Sequence, residues 1–222
     1  RHDFDLLERV EDLRTSLKPL GWNHLHGDMV LNVIKARLGK QIYDTRPEEL
    51  ATAIKSQPDV LERVREDIQR AVRTLDQIAN VRGPAVLPYN YQLVLLADAL
   101  RDTVILSDEQ RSRLRLWFWA TALGEYFRGI SKSLFERAQK DLRQVVLGAS
   151  GPLPPDVERT VYAFDNFDFR AARSRAFALL LAEQGPRDPD GAPIDAFALL
   201  AEAGADALSK LVTKSQVSSD AD

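Results

Sequence analysis

The sequence predicts an all-α protein, an irregular multi-helix array around a central buried helix at about residues 107–124, with no significant sheet. Two observations favour this class. Apolar side chains recur at spacings of three and four residues along most of the chain, which is the period of one helical face. No stretch shows the strict alternation of apolar and polar residues that is typical of a half-buried strand.

The central helix is predicted from residues 114–123, where apolar side chains fall on every helical face. Trp117 and Trp119 lie about 200° apart on a helical wheel, because each residue advances roughly 100°. They must therefore pack against different neighbours, and a helix that is apolar all round needs other helices on every side. Ser107 and Gln110 form a capping box at its entrance.

The chain before residue 84 carries signals for four helices. Apolar spacing predicts a first helix that ends near Pro19 and a second from about residue 27 to 38. Capping-box patterns around Pro47 and Pro58 predict the starts of the third and fourth helices. The fourth is long and amphipathic and ends at residues 83–84; its apolar stripe is Leu61, Val64, Ile68, Ala71, Leu75 and Ile78.

Beyond residue 84, a fifth helix precedes the central one, and an apolar stripe resumes at residues 134–145. The segment 148–155 reads GASGPLPP and is the strongest internal break. After it, Asp165 or Asn166 can cap a further helix, and Pro193 starts the last one.

These breaks predict a main helical domain at residues 1–147, a linker at 148–156, a C-terminal helical subdomain at 157–214 and a flexible tail at 215–222. The chain starts at Arg1 without an initiator methionine, which suggests a fragment of a longer protein; ordinary processing or a lost tag is the alternative.

Composition narrows the class of protein. The chain has 222 residues, a net charge of -3, and 45% hydrophobic and 28% charged residues, which is ordinary for a globular protein. This charge argues against a surface that is basic throughout, although it leaves room for a local basic patch. No apolar run approaches the length of about 18 residues that spans a bilayer. Because cysteine is also absent, we expect a soluble cytoplasmic protein without membrane contact.

One histidine pair offers a metal-site interpretation. His24, His26 and Asp28 could in principle provide imidazoles and a carboxylate to a metal ion. They also stand at a helix entrance, where a cap or first-turn acid is expected, and we favour that interpretation. No phosphate-loop, dinucleotide-turn, zinc-protease or nucleophile-elbow motif occurs. We assign no catalytic, cofactor-binding or metal-binding residue.

Basic residues form three clusters, at residues 111–115, 128–143 and 170–175. In the second cluster, Lys132, Lys140 and Arg143 fall within an outward arc of roughly 80° on one helix. Such cations either neutralise nucleic-acid phosphates or form an ordinary solvated face, and both interpretations stay open. The candidate contacts to nucleic acid or a partner are Arg128, Lys132, Lys140 and Arg143.

Short motifs spread over residues 61–195 suggest a family. They are Leu87-Pro88-Tyr89, Leu93-Val94-Leu95-Leu96, Trp117-Phe118-Trp119, Tyr126-Phe127, Asp141-Leu142, Gly185-Pro186-Arg187-Asp188, Gly191 and Ile194-Asp195. With these motifs the chain resembles the helical region of GmrSD-type restriction proteins, which act in bacterial defence against phage DNA that carries modified bases.

The resemblance implies a role in a larger enzyme. The family has an N-terminal ParB-like nucleotide-hydrolysing domain with a DGxxR motif, and many members end in an HNH nuclease with paired histidines. Neither motif occurs here, no histidine follows Asp195, and Glu125-Tyr126-Phe127 departs from the family's Arg-Tyr-Ser pattern. No catalytic residue can therefore be carried over to this chain.

Our first hypothesis is a non-catalytic helical module of a nucleotide-dependent restriction endonuclease. It would link a nucleotide-dependent sensor domain to a nuclease effector, with the other domains of the same polypeptide as partners and DNA as a further contact. Any nucleotide or divalent metal would belong to those other domains. The alternative is a stand-alone helical interaction protein or regulatory subunit that docks a partner with the long helix at residues 59–79.

Overall fold

The computed structural model describes residues 6–101, 105–148 and 167–207. Their helices, in chain order, are α1 (Leu6–Ser16), α2 (Gly27–Arg37), α3 (Pro47–Ser56), α4 (Val60–Ala79), α5 (Asn90–Ala99), α6 (Asp108–Leu123), α7 (Lys132–Val146), α8 (Ala172–Glu183) and α9 (Ala196–Ala203). Short 3-10 helices lie at Lys18–Leu20, Pro84–Val86 and Gly204–Ala207. Within the described residues, pairing of the β type is confined to one isolated bridge between Arg187 and Pro193. The predicted all-α class is confirmed.

The centre of the array is α5, whereas the sequence placed it at residues 107–124. All eight residues from Gln92 to Ala99 are buried, including the polar Gln92 and Asp98. Helices α2, α4 and α7 pack around α5, and the Gln92 amide donates a hydrogen bond to the Phe118 carbonyl of α6 at 3.1 Å.

Helix α6 is buried along one side only. Trp117 and Phe118 are 3% and 0% exposed, but Leu116 is 55% exposed and Trp119 is half-buried. Trp119 lies three positions from Leu116 and four from Arg115, so it neighbours both side chains on the helix surface. The Arg115 guanidinium must reach polar partners or water, so the part of α6 around Trp119 is not fully enclosed.

The helix-start predictions have mixed outcomes. The Ser107–Gln110 capping box is confirmed, because the Gln110 N–H donates to Ser107 Oγ at 3.2 Å and the Ser107 N–H donates to Gln110 Oε1 at 2.6 Å. The predicted boxes at Pro47 and Pro58 are wrong, because neither α3 nor α4 has a side-chain cap. Near Pro47, the hydroxyl of Thr45 donates to the Gln41 carbonyl instead.

Helix α4 ends at Ala79, which matches the predicted range 59–79 and falls before the predicted break at residues 83–84. Asn80 adopts a left-handed conformation, with φ of 51°, and its N–H donates to the carbonyls of Leu75 and Asp76. Asparagine tolerates this conformation better than most residues, so it ends the helix before Gly83 is reached.

Most of the predicted linker at 148–156 lies outside the described residues, as do the capping candidates Asp165 and Asn166 and the tail at 215–222. The proposed division into two domains stays a prediction. Within the described part, α8 packs on α6, and α9 packs on α8 and on the 3-10 turn at Pro84–Val86. None of the described helices combines the length and apolar character needed to cross a membrane.

Candidate nucleic-acid interface

The four predicted contact residues lie on α7 and on the loop that precedes it. Ser131 caps α7, because its hydroxyl accepts the Leu134 N–H at 3.3 Å. The helix buries one apolar stripe, formed by Phe135, Ala138, Leu142, Val145 and Val146. The opposite side of α7 faces water, and the structure brings the predicted cations together on or near it.

Arg143 is committed to a partner inside the fold. Its Nε and Nη2 atoms donate to the two carboxylate oxygens of Asp98, each at 2.7 Å. The Asp98 side chain is 1% exposed, and Arg101 approaches it at 3.7 Å. Arg143 therefore neutralises a buried charge of α5 and holds α7 against the core.

Two of the other predicted cations also have carboxylate partners. Arg128 is 78% exposed and lies 3.4 Å from Glu125, which also contacts Arg173 at 3.3 Å. Lys132 donates to Asp44 at 2.6 Å, and this hydrogen bond raises the pKa of the lysine. Both pairs are at the surface, where water and salt compete with them.

Lys140 has a cationic neighbour that was not among the predicted contacts. Lys140 and Arg137 are both exposed, and neither forms an ion pair or a side-chain hydrogen bond with any described residue. They are three positions apart and therefore adjacent on the helix surface. The predicted arc runs from Lys132 to Lys140 and stops about 60° short of Arg137 on the helical wheel. A count that started from Lys140 would have included Arg137.

An exposed aromatic ring lies at the Lys132 edge of the exposed side of α7, and no pattern in the sequence indicates it. Tyr43, in the loop between α2 and α3, is 41% exposed and packs edge-on against Phe135 of α7, with ring centroids 6.1 Å apart. Asp44, the next residue, holds Lys132. We call the surface formed by Tyr43, Arg128, Lys132, Arg137 and Lys140 the α7 basic face.

Most arginines of the other two clusters serve the fold. Arg115 donates to the Ile78 carbonyl at 2.5 Å and to Glu183 at 2.8 Å, which joins α6 to α4 and α8. Arg173 and Arg175 donate to the carbonyls of Leu123 and Leu87, at 3.3 and 2.8 Å. Burial lowers the pKa of Arg175.

The histidine pair is at the start of α2, as expected for a cap. His26 is the N-cap residue, and its Nδ1 accepts the Asp28 N–H at 3.4 Å. His24 lies 3.1 Å from the Asn23 amide. In residues 6–101, 105–148 and 167–207, no three histidine or acidic side chains are grouped as metal ligands.

The apolar stripe of the long helix is used inside the molecule. Val64, Ile68, Ala71 and Leu75 of α4 are each 0% exposed, packed by α2, α5 and α6. Docking a partner through this stripe would require α4 to leave the core.

Comparison with known proteins adds no relative to this description. No protein-family model, curated protein or solved structure matches the chain. The resemblance to GmrSD-type restriction proteins therefore stays a prediction that rests on the short motifs alone.

Proposed function

We propose that this chain is a non-catalytic helical module of a GmrSD-like phage-defence restriction protein and that it contacts the DNA backbone through the α7 basic face. The observation that carries the DNA contact is the pair Arg137 and Lys140, two adjacent exposed cations without a described carboxylate partner. Cations of this kind can bind phosphates without first breaking an internal ion pair.

The attachment of α7 supports this proposal. The Asp98–Arg143 pair and the buried stripe fix α7 to the core along its length. The cations therefore project from a rigid element, and their side chains are the main groups that must be ordered on binding. A regular helix also keeps Arg137 and Lys140 about one turn apart.

Tyr43 extends the same surface with a different chemistry. A half-exposed aromatic ring beside cations can stack on an unpaired base or a sugar, as in proteins that bind single strands. Lys132 is held close to that ring by Asp44. This arrangement favours a polynucleotide over a small inorganic anion as the ligand of the α7 basic face.

The DNA contact can be tested by fluorescence anisotropy. A labelled DNA duplex is titrated with the purified chain at a series of salt concentrations. We expect binding that weakens as salt rises, since bound cations release counterions from DNA. Replacing Arg137 and Lys140 together by glutamine should lower the slope of log K against log salt by about two, which is roughly one for each lost phosphate contact.

The matched control is Lys55→Gln, which removes an exposed lysine of α3 that also has no described partner. It should leave the DNA affinity and the salt slope as they are. Binding that is absent even at low salt, or that the control weakens as much as the double variant does, would contradict the DNA contact.

The linking role places this chain between a nucleotide-dependent sensor domain and a nuclease effector, in the cytoplasm, with nucleotide and metal bound by those other domains. Nuclease or nucleotide-hydrolysing activity in the purified chain would contradict the non-catalytic assignment. The parent reading frame provides a second test. A DGxxR-bearing domain encoded upstream of Arg1 supports the role, whereas a start codon immediately before Arg1 favours the stand-alone interaction protein.

A further inference from the structure

A groove of about 410 Å³ lies between the polar side of α4 and the segment that enters α6. One wall is a stripe of α4 that includes Glu66, Arg70 and Arg73, and the other contains Leu100, Ile105 and Arg111. Its volume falls in the range typical of small-molecule sites, about 300–1,000 Å³. The groove is separate from the α7 basic face.

The charge of the groove favours an anion. Among the described residues, three guanidiniums line it, against one carboxylate, that of Glu66. Arg73 is exposed and has no described hydrogen-bond or ion-pair partner. Arg111 is anchored by the Leu106 carbonyl at 2.6 Å and pairs with Asp108, whose side chain is 97% exposed and easily displaced as a partner.

Arg70 is held in place before any ligand arrives. Its Nη1 atom donates to the carbonyls of Leu100 and Arg101, at 3.0 and 2.9 Å, where α5 ends. The same atom contacts Asp67 at 3.2 Å, and Asp67 also contacts Arg37 at 3.3 Å. Because these contacts hold the Arg70 guanidinium in place, it loses little conformational entropy when it binds a ligand.

An apolar side chain stands beside these cations. Ile105 is 82% exposed, an unusual position for a large aliphatic residue, and Leu100 beneath it is 1% exposed. An inorganic anion has no apolar atoms to pack on this surface, whereas the organic part of a phosphate ester can cover it and remove it from water. Guanidinium groups bind phosphate through paired N–H donors.

We propose that this groove binds a small organic diphosphate or triphosphate, with the phosphates on Arg70, Arg73 and Arg111 and the organic part against Ile105. The proposal concerns a site and a ligand class apart from the DNA contact of α7, and it does not depend on it. The phosphates, which carry more negative charge than one carboxylate, would replace Asp108 as the partner of Arg111.

Isothermal titration calorimetry at low salt tests the proposal, with ADP and pyrophosphate as the two probes. Both probes contain a diphosphate, and only ADP has an organic part. Arg73→Gln should weaken the binding of both probes about tenfold, the loss expected for one charge-assisted hydrogen bond. Ile105→Ser should weaken ADP about threefold and leave pyrophosphate unchanged. Lys55→Gln, which removes an exposed lysine of α3 outside both the groove and the α7 basic face, is the matched control and should change neither.

Absence of ADP binding by the wild-type chain, or ADP affinity that Arg73→Gln leaves unchanged, overturns the site. Equal weakening by Lys55→Gln also overturns it, because the binding would then be non-specific. Equal ADP affinity in Ile105→Ser and the wild type overturns the organic part of the ligand class. Arg137 belongs to the α7 basic face and Arg73 to the groove, so failure of this proposal is distinguishable from failure of the DNA contact.

Discussion

Asp98 of α5 and Arg143 of α7 form a two-bond ion pair across the core, with both donor–acceptor distances at 2.7 Å and the carboxylate 1% exposed. The residues are 45 positions apart in the chain. The pair explains how a fully enclosed helix can contain an acidic side chain, since a buried charge needs both a counter-charge and hydrogen bonds.

Replacing Arg143 by methionine should lower the free energy of unfolding by about 3 kcal/mol, because Asp98 would keep its charge in the core with only the more distant Arg101 beside it. Urea unfolding followed by circular dichroism measures the change. Lys140→Met is the matched control on the same helix and should stay within about 0.5 kcal/mol of wild type.

The double variant Asp98→Leu with Arg143→Met provides a sharper test of the same pair. It removes both charges together, so it should recover most of the stability that Arg143→Met loses. A double variant that is less stable than Arg143→Met alone would show that the buried charge is not the cause of the loss.

Replacing Gln92 by leucine should lower the free energy of unfolding by about 2 kcal/mol, since buried polar groups would be left without partners. Gln92 accepts the Tyr89 N–H at 3.2 Å and donates to Thr121 Oγ1 at 2.9 Å. Gln92→Met, which has a similar volume and also lacks the amide, should lose about as much stability. If either variant matches wild type in urea unfolding, these hydrogen bonds contribute little.

Gly21 follows the 3-10 turn at Lys18–Leu20, has φ of +77°, and lies so close to Arg82 that a Cβ atom would be 2.5 Å from its carbonyl oxygen. Gly21→Ala should therefore destabilise the fold by about 3 kcal/mol, through backbone strain and a clash with main chain that cannot move aside.

Gly39 supplies the control for that substitution, because its φ is +67° but nothing lies within 4 Å of the position that an alanine methyl group would take. Gly39→Ala should lose only about 1 kcal/mol, the strain of the left-handed conformation alone. Equal losses in thermal or urea unfolding would mean that the contact between Gly21 and Arg82 has no energetic effect.

The environment of Tyr89 leads us to expect a loss of stability at high pH. Burial, and then the charge of Glu125, raise the pKa of Tyr89 to about 12, from an ordinary value near 10. The folded state prefers the neutral phenol. The stability that the neutral Tyr89 side chain contributes is therefore fully present below about pH 10 and is lost as the pH rises towards 12.

Urea unfolding at several pH values between 9 and 12 measures this effect, and Tyr89→Phe should make the decline with pH shallower. The difference in phenolate absorbance between wild type and this variant should show one tyrosine whose ionisation midpoint is near pH 12. An ordinary ionisation midpoint in that difference would contradict the predicted environment.

The sequence revealed the helices better than their arrangement. Local signals, such as the Ser107–Gln110 box and the stripe of α4, depend on residues within a turn or two and were predicted correctly. The place of α5 depends on Gln92 and Asp98, which look exposed in a pattern of polar and apolar residues. Their partners, Thr121 and Arg143, are distant in the chain, so periodicity could not identify them.

The candidate sites show the same limit. The cations of α7 were visible as an arc, but the ion pair between Arg143 and Asp98 was not, and Tyr43 joins the surface only where the loop after α2 meets α7. The groove combines α4 with Leu100 and with residues 105–111, and no local motif brings those segments together.

Because the tryptophans are unequally buried, intrinsic fluorescence can report on different parts of this protein without an added label. Trp22 and Trp117 are 1% and 3% exposed, while Trp119 is half-buried beside the Arg115 guanidinium, 5.9 Å from its ring centre. A neutral quencher such as acrylamide should reach chiefly Trp119 in the folded state. The quenchable part of the fluorescence can therefore report structural changes where α6 meets α8. The unquenched part reports on the interior, where Trp22 and Trp117 are shielded from water.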